Sequence, residues 1–233
     1  MRNVLIVDTE TTGLDPAVDR VIEIGAILYS LEAASPLACV SYLLRSENAT
    51  NPAASVNRIP EAALRYVDHL DVQPLAFRLL DEMAKSAACI LAHNAAFDRS
   101  FLAGLGCFPD RPWICTKEDL AWPRQSKPGA SLVVLALDHD LGVAYAHRAL
   151  ADCDLIARLL TRCHELGHDL PAMLERAARP KLTYRALVDY KRRELAKAHG
   201  FQWQPDAQIW ARRIAPEDVE ALALPFGVKV VQL

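Results

Sequence analysis

Val4-Leu5-Ile6-Val7-Asp8-Thr9-Glu10-Thr11-Thr12-Gly13 opens on four consecutive apolar residues and then alternates threonines with acids. Such an apolar run reads as a strand buried on both faces, in a sheet covered by helices. Residues i and i+2 of a strand share a face, so Asp8 and Glu10 point to the side of Val4 and Ile6, toward covered sheet. Two carboxylates converging at a buried strand end repel one another unless a cation lies between them. The fragment also fits a loop in which Asp8 caps a turn made by Thr9, Thr11, Thr12 and Gly13, and alone it leaves both readings open.

Outward from this run, Val21–Tyr29 and Ala38–Arg45 read as second and third strands of a meander, separated by short linkers. Helical patterns follow at Pro60–Asp68 and Pro74–Ser86, each with proline in the first turn. A short strand at Cys89–Ala92 leads into a helix over Ala95–Gly104. Trp113–Cys115 is another short strand, and Leu132–Asp138 and Arg148–Leu166 are further helices. Strands first and α/β alternation afterwards predict one mixed sheet with helices packed on it.

His168–Pro180, with Pro171 and Pro180, reads as the boundary between a first domain over residues 1–170 and a second over 181–233. The second reads as strand (Leu182–Val188), helix (Lys191–His199), a hairpin Phe201–Trp203 with Gln208–Arg212, a helix opened by Pro216-Glu217-Asp218, and a last strand Val228–Gln232.

The 233 residues, 52% hydrophobic and 24% charged, are ordinary globular composition. The first apolar run is four residues long and ends in an acid, so no signal peptide or membrane span is read there, and a cytoplasmic protein is expected. Six cysteines without a C-x-x-C pair read as buried reduced thiols rather than zinc ligands. Residues 181–233 carry nine Lys/Arg against six Asp/Glu and the remainder 17 against 23, so a +3 tail follows a −6 body. A body that holds cations and a tail that meets phosphates would show this asymmetry.

Two helices repeat one pattern, an aspartate heading an apolar stripe. Asp98, Phe101, Leu102 and Leu105 fall at i, i+3, i+4 and i+7, and Asp152, Ile156 and Leu159 at i, i+4 and i+7. Each acid therefore faces the sheet, where an unpaired carboxylate is costly, although a helix N-terminus offers either one a capping role. Carboxylate oxygens with no thiolate or imidazole cluster suit Mg²⁺ or Mn²⁺. His147, five residues before Asp152, could take a proton from water near neutral pH.

Val7-Asp8-Thr9-Glu10-Thr11-Thr12-Gly13, His93-Asn94-Ala95-Ala96-Phe97-Asp98 and His147-Arg148-Ala149-Leu150-Ala151-Asp152 resemble, in order, the three motifs of the DEDD exonuclease superfamily. The histidine places the resemblance in the DEDDh, or DnaQ-like, subclass, which includes the proofreading epsilon subunits of bacterial DNA polymerase III. Trp113-Ile114-Cys115-Thr116 and the third motif through Cys153 are similar to the exodeoxyribonuclease X branch. The resemblance implies a ribonuclease H-like mixed five-stranded sheet flanked by helices, with the C-terminal part a small α+β domain. It implies a two-Mg²⁺ (or Mn²⁺) 3′–5′ exonuclease that releases 5′-mononucleotides. Asp8 would bridge both ions, Glu10 and Asp152 would hold the nucleophile-side ion, Asp98 would hold the other through water, and His147 would be the general base. Thr11, Leu14, Ile59, His93, Asn94 and Phe97 would line the terminal-nucleotide pocket, Phe97 being equally readable as a core aromatic. Asn57 stands where many relatives have histidine, at a position that contacts nucleic acid, and so bears on substrate preference. Glu23 matches a recurrent family residue to which a structural role is assigned.

In the tail, Arg192, Arg193, Arg212 and Arg213 are expected to contact phosphates, and Trp203 and Trp210 to serve the core. The expected partner is nucleic acid, a single-stranded DNA 3′ end, with a polymerase or repair protein nearby. RNA trimming is the next reading, and a non-catalytic binding or polymerase-accessory protein is the alternative of another class.

Overall fold

The structure, a computed structural model, describes residues 2–45, 50–67, 73–108, 110–144 and 147–232. Three strands, β1 (Asn3–Thr11), β2 (Val21–Ser30) and β3 (Ser35–Leu43), form an antiparallel meander in which Asp8 lies opposite Gly25 and Glu10 opposite Glu23. The chain then crosses the sheet through α1 (Ala54–Asn57), α2 (Glu61–Val67) and α3 (Gln73–Lys85). β4 (Ile90–Ala92) returns parallel to β1, and α4 (Ala95–Gly104) leads to β5 (Trp113–Cys115), parallel to β4. The order β3-β2-β1-β4-β5 is a mixed five-stranded sheet flanked by helices, the ribonuclease H-like arrangement.

β1 and β2 are buried nearly throughout because helices cover both faces. Val4, Ile6, Ile27 and Tyr29 pack against α5 (Leu132–Asp138) and α6 (Ala149–Glu165). Leu5, Val7, Ala26 and Leu28 pack against α3 and α4 on the other face. This division carries Asp152 to one face and Asp98 to the other, so both reach β1 at one sheet end.

The segment read as a boundary is mostly helix, α7 (Leu170–Ala177). Asp169 caps it by accepting the Ala172 N–H at 3.0 Å, Pro171 sits in the first turn where its missing donor costs nothing, and Leu170, Leu174 and Ala177 join the α6-side core. Pro171 was thus a helix-start signal and not punctuation. α1 was not anticipated, and Asp68, the expected end of α2, lies outside the described residues.

Beyond α7 a second, four-stranded antiparallel sheet has the order β7-β8-β6-β9, from β6 (Leu182–Ala186), β7 (Gln202–Gln204), β8 (Ile209–Ile214) and β9 (Val228–Val231), with α8 (Arg193–Ala198) against it. Residues 190–192 form a 3-10 turn before α8. The helix expected at Pro216 is also a single 3-10 turn: no side chain caps Ala215, and Asp218 is drawn outward into an ion pair with Arg176. All six cysteines are free thiols, and Cys39 is exposed rather than buried. Among the described residues no helix is long and apolar enough to cross a membrane.

Candidate active site

Carboxylate oxygens of Asp8, Glu10 and Asp152 all lie within 4.8 Å of one another at the end of β1. Asp152 reaches β1 because the first turn of α6 lies directly on β2. A Cβ built at Gly25 would stand 2.4 Å from the Ala149 carbonyl carbon, so only glycine permits this approach. The Glu23 carboxylate, 2% exposed, accepts the Ala149 N–H at 3.1 Å and a two-point contact from Arg148 at 2.9 and 2.7 Å. In the first turn of α6, Asp152 accepts the His147 N–H at 3.2 Å and lies where the helix dipole favours negative charge.

Asp98 belongs to α4, is 2% exposed, and stands behind this trio. Its Oδ1 accepts both the Thr9 N–H (3.0 Å) and the Thr9 hydroxyl (2.8 Å), a clamp on β1 that fixes the carboxylate beside the other acids.

Burial is the main force pushing these carboxyls toward their protonated forms, and mutual repulsion adds to it. Asp8 is raised well above the usual carboxylate range by burial and then by Asp98, Asp152 and Glu10. Glu10 is pushed up to about 8 by burial, Asp152 and Glu23, with Arg148 opposing. Asp98 rises to about 7 by burial, against the lowering effect of its Thr9 bonds. Asp152 is raised by burial and held back by the His147 N–H. Strained anions with oxygen donors only, converging within one cation's reach, fit a hard divalent ion such as Mg²⁺ or Mn²⁺.

Left-handed residues stand at the entrances of both helices that deliver acids: Asn94, the N-cap of α4, with φ 84°, and His147, one residue before the extended N-cap Arg148 of α6, with φ 62°. Asn94 makes no capping bond, leaving its exposed amide turned outward, and the His147 ring is exposed. His93 Nδ1 pairs with the Thr116 hydroxyl at 3.1 Å, and burial with nearby Lys117 lowers its pKa to about 4, so the ring is neutral.

The remaining expected residues separate into two groups. Leu14 is 84% exposed at the rim and Phe97 is half-buried against Phe101, with ring centroids 4.8 Å apart. Asn57, expected to contact substrate, is 1% exposed, and this expectation is corrected. Its amide donates to the Thr11 carbonyl (3.2 Å) and accepts from Asn51 (2.8 Å) and the Ile59 N–H (3.1 Å), so it fastens a loop instead. Ile59 is likewise a core side chain with Ile22 and Leu64, and the Thr11 hydroxyl is spent on the Gly13 carbonyl. In the tail, Arg192 pairs with Asp189, Arg193 lies over the Tyr190 ring, and Arg212 donates to the His199 carbonyl, while Arg213 is exposed. Trp210 packs on the small core, whereas Trp203 is 47% exposed. Sequence reasoning missed Thr9, Arg148 and Gly25; a glycine inside the apolar strand Val21–Ser30 was the signal for close backbone approach.

The family described as Exonuclease matches residues 5–160, which span all five candidate positions. The chain belongs to this family. Residues 182–231 match a second family, described as a domain of unknown function. DNA polymerase III subunit epsilon of Treponema pallidum is 30% identical to this family member over 171 residues, covering 66% of this chain and 73% of that protein. DNA polymerase III PolC-type of Thermotoga maritima is 29% identical over 176 residues, 70% of this chain but 12% of that much longer protein. In fold, the nuclease domain of 3′hExo, a DEDDh family member bound to rAMP, aligns with a TM-score of 0.58 at 18% identity over 72% of this chain and 94% of that one. Exonuclease I from Methylocaldum szegediense aligns with a TM-score of 0.60 at 15% identity, over 98% and 64%.

Proposed function

We propose that the chain is a Mg²⁺- or Mn²⁺-dependent 3′–5′ exonuclease that releases 5′-mononucleotides from single-stranded DNA 3′ ends. The convergence of Asp8, Glu10 and Asp152 oxygens within 4.8 Å, with Asp98 clamped beside them, carries this reading. Asp8, Glu10 and Asp152 would hold one cation, and Asp8 with Asp98 a second. Bound there, the two ions supply positive charge to the attacking and leaving oxygens of an in-line displacement. His147, exposed at the entrance of α6, takes the proton of the attacking water. The exposed Asn94 amide, neutral His93 and Leu14 at the rim position the terminal nucleotide.

The relatives named as DNA polymerase subunits favour DNA and, as part of this reading, work beside a polymerase or in repair inside the cytoplasm. RNA trimming has in its favour fold likenesses to a nuclease bound to rAMP and to a 3′-exonuclease recognising a histone mRNA stem-loop. A non-catalytic binding role is disfavoured because all five positions of the site are filled by competent side chains.

The test is a panel of 5′-labelled and 3′-labelled DNA and RNA oligonucleotides with Mg²⁺, Mn²⁺ or EDTA. A one-nucleotide ladder from the 5′ label, with mononucleotide release from the 3′ label in metal alone, is expected. Internal cuts, release from the 5′ end, or equal rates in EDTA would sink the reading.

A further inference from the structure

A cavity of about 980 Å³ runs between the segment after β5 and the small C-terminal sheet. Six basic side chains line it against three acidic ones, although the whole chain is net negative. The acids are already engaged: Lys181 meets Asp119 at 3.0 Å, Arg176 meets Asp218 at 2.7 Å, and Gln202 donates to Glu118 at 3.4 Å. Lys117, Lys197 and Arg213 have no carboxylate partner among the described residues, and the last two are exposed. Lys117 belongs to the segment after β5 and Lys197 and Arg213 to the C-terminal unit, so uncompensated cations line the groove from both sides, beside Arg212, which donates to the His199 carbonyl.

One lining residue, Lys117, follows β5 at the end of the sheet that holds the acids. β1, β4 and β5 run parallel, so His93 and Lys117 stand just past the C-terminal ends of β4 and β5, toward the part of β1 that carries Asp8. Thr116, bonded to His93, precedes Lys117, which reaches toward both that imidazole and the groove. Resting on the exonuclease reading for its 3′ end, we infer that this groove holds the sugar-phosphate backbone of the strand whose terminal nucleotide occupies the carboxylate site. Arg192 and Arg193, expected from sequence to contact phosphates, do not line it.

The test is binding of fluorescein-labelled dT20 by anisotropy in EDTA, between 50 and 200 mM salt, so that hydrolysis is not needed. The full chain is compared with the combined variant Lys117→Ala/Lys197→Ala/Arg213→Ala and with Arg192→Ala/Arg193→Ala. The groove variant is expected to bind at least about tenfold more weakly, with its logarithmic salt slope reduced by about 2, as three lost single-strand phosphate contacts require. The pair outside the groove should stay within about twofold of the parent. Groove-variant binding within that same margin overturns the proposal, as does an equal loss in both variants. Capture of an acidic peptide such as hexaglutamate without capture of dT20 also overturns it, in favour of a protein partner. An inactive chain that still binds dT20 through these cations would sink the exonuclease reading alone, so the two failures are distinguishable.

Discussion

Glu23 on β2 and Arg148 at the start of α6 meet in a two-point ion pair, 125 residues apart in sequence, and the same carboxylate receives the Ala149 N–H. Arg148 lies between His147 and the first turn of α6, so this pair fixes the direction from which the general-base candidate and Asp152 approach β1. Arg148→Ala should destabilise the fold by about 1–3 kcal/mol in urea titration, because it leaves a buried carboxylate with two donors fewer and its countercharge gone. It should also lower kcat more than it raises KM. Arg148→Lys keeps the charge without the fork and should recover stability more fully than kcat. Wild-type kcat in Arg148→Ala would remove the positioning role.

Asp8 is raised well above its ordinary range by burial and by four other carboxylates, Asp98, Asp152, Glu10 and Glu23. Asp8→Asn should therefore raise the Tm of the protein in EDTA while reducing nucleotide release in Mg²⁺ by at least about 10³-fold, the scale on which lost transition-state electrostatics act. A lower Tm in EDTA would show that the carboxylate stabilises the fold, against the strain described here.

The pH dependence of stability follows from Glu10 at about 8 and Asp98 at about 7, each raised chiefly by burial. A carboxyl whose folded pKa exceeds its unfolded value, about 4, contributes stability below the unfolded value and loses it as pH rises through the folded one. Calorimetry in EDTA should thus give a higher Tm at pH 5.5 than at pH 8. Saturating Mg²⁺ supplies the missing positive charge and should erase or reverse that slope. Identical slopes with and without Mg²⁺ would contradict cation binding at these acids.

Gly25→Ala should lower both stability and activity, since the added methyl meets α6 backbone on the same sheet face as Asp8, the residue opposite it on β1. Moving a packed helix costs about 1–3 kcal/mol. If the variant's thermal melt and kcat both match the parent, the contact is not tight.

Asn57→Ala removes one hydrogen bond that holds residues 51–59 to Thr11 and two that brace the loop internally, to Asn51 and to the Ile59 N–H. Faster amide hydrogen exchange in residues 51–59 is expected, with the ratio of DNA to RNA rates unchanged. A changed ratio would return Asn57 to the substrate.

The sheet was legible in the sequence because buried strands and amphipathic helices carry strong periodicities, and β5, α4 and α5 fall where the apolar pattern ends them. The acids were legible because period-2 and period-3.6 spacing fix which face each occupies. Asn57 was misread because a family position speaks for the residue usually found there, while a short amide replacing an imidazole turns inward to satisfy a loop. The helix inside the boundary segment was not legible because proline punctuates loops and starts helices alike, and only the Asp169 cap and the stripe through Leu174 distinguish the two. Thr9 and Arg148 were invisible as site residues because their roles arise from pairing across 89 and 125 residues, which no local pattern encodes.

The missing side chain at position 25 has a practical corollary for sorting related genomes. A homologue could retain every acid and the histidine, pass any motif filter, and still be a pseudoenzyme if a bulkier residue there props the helix bearing the last acid away from its fellows. Screening that strand position alongside the five charged ones would separate working nucleases from inherited silhouettes.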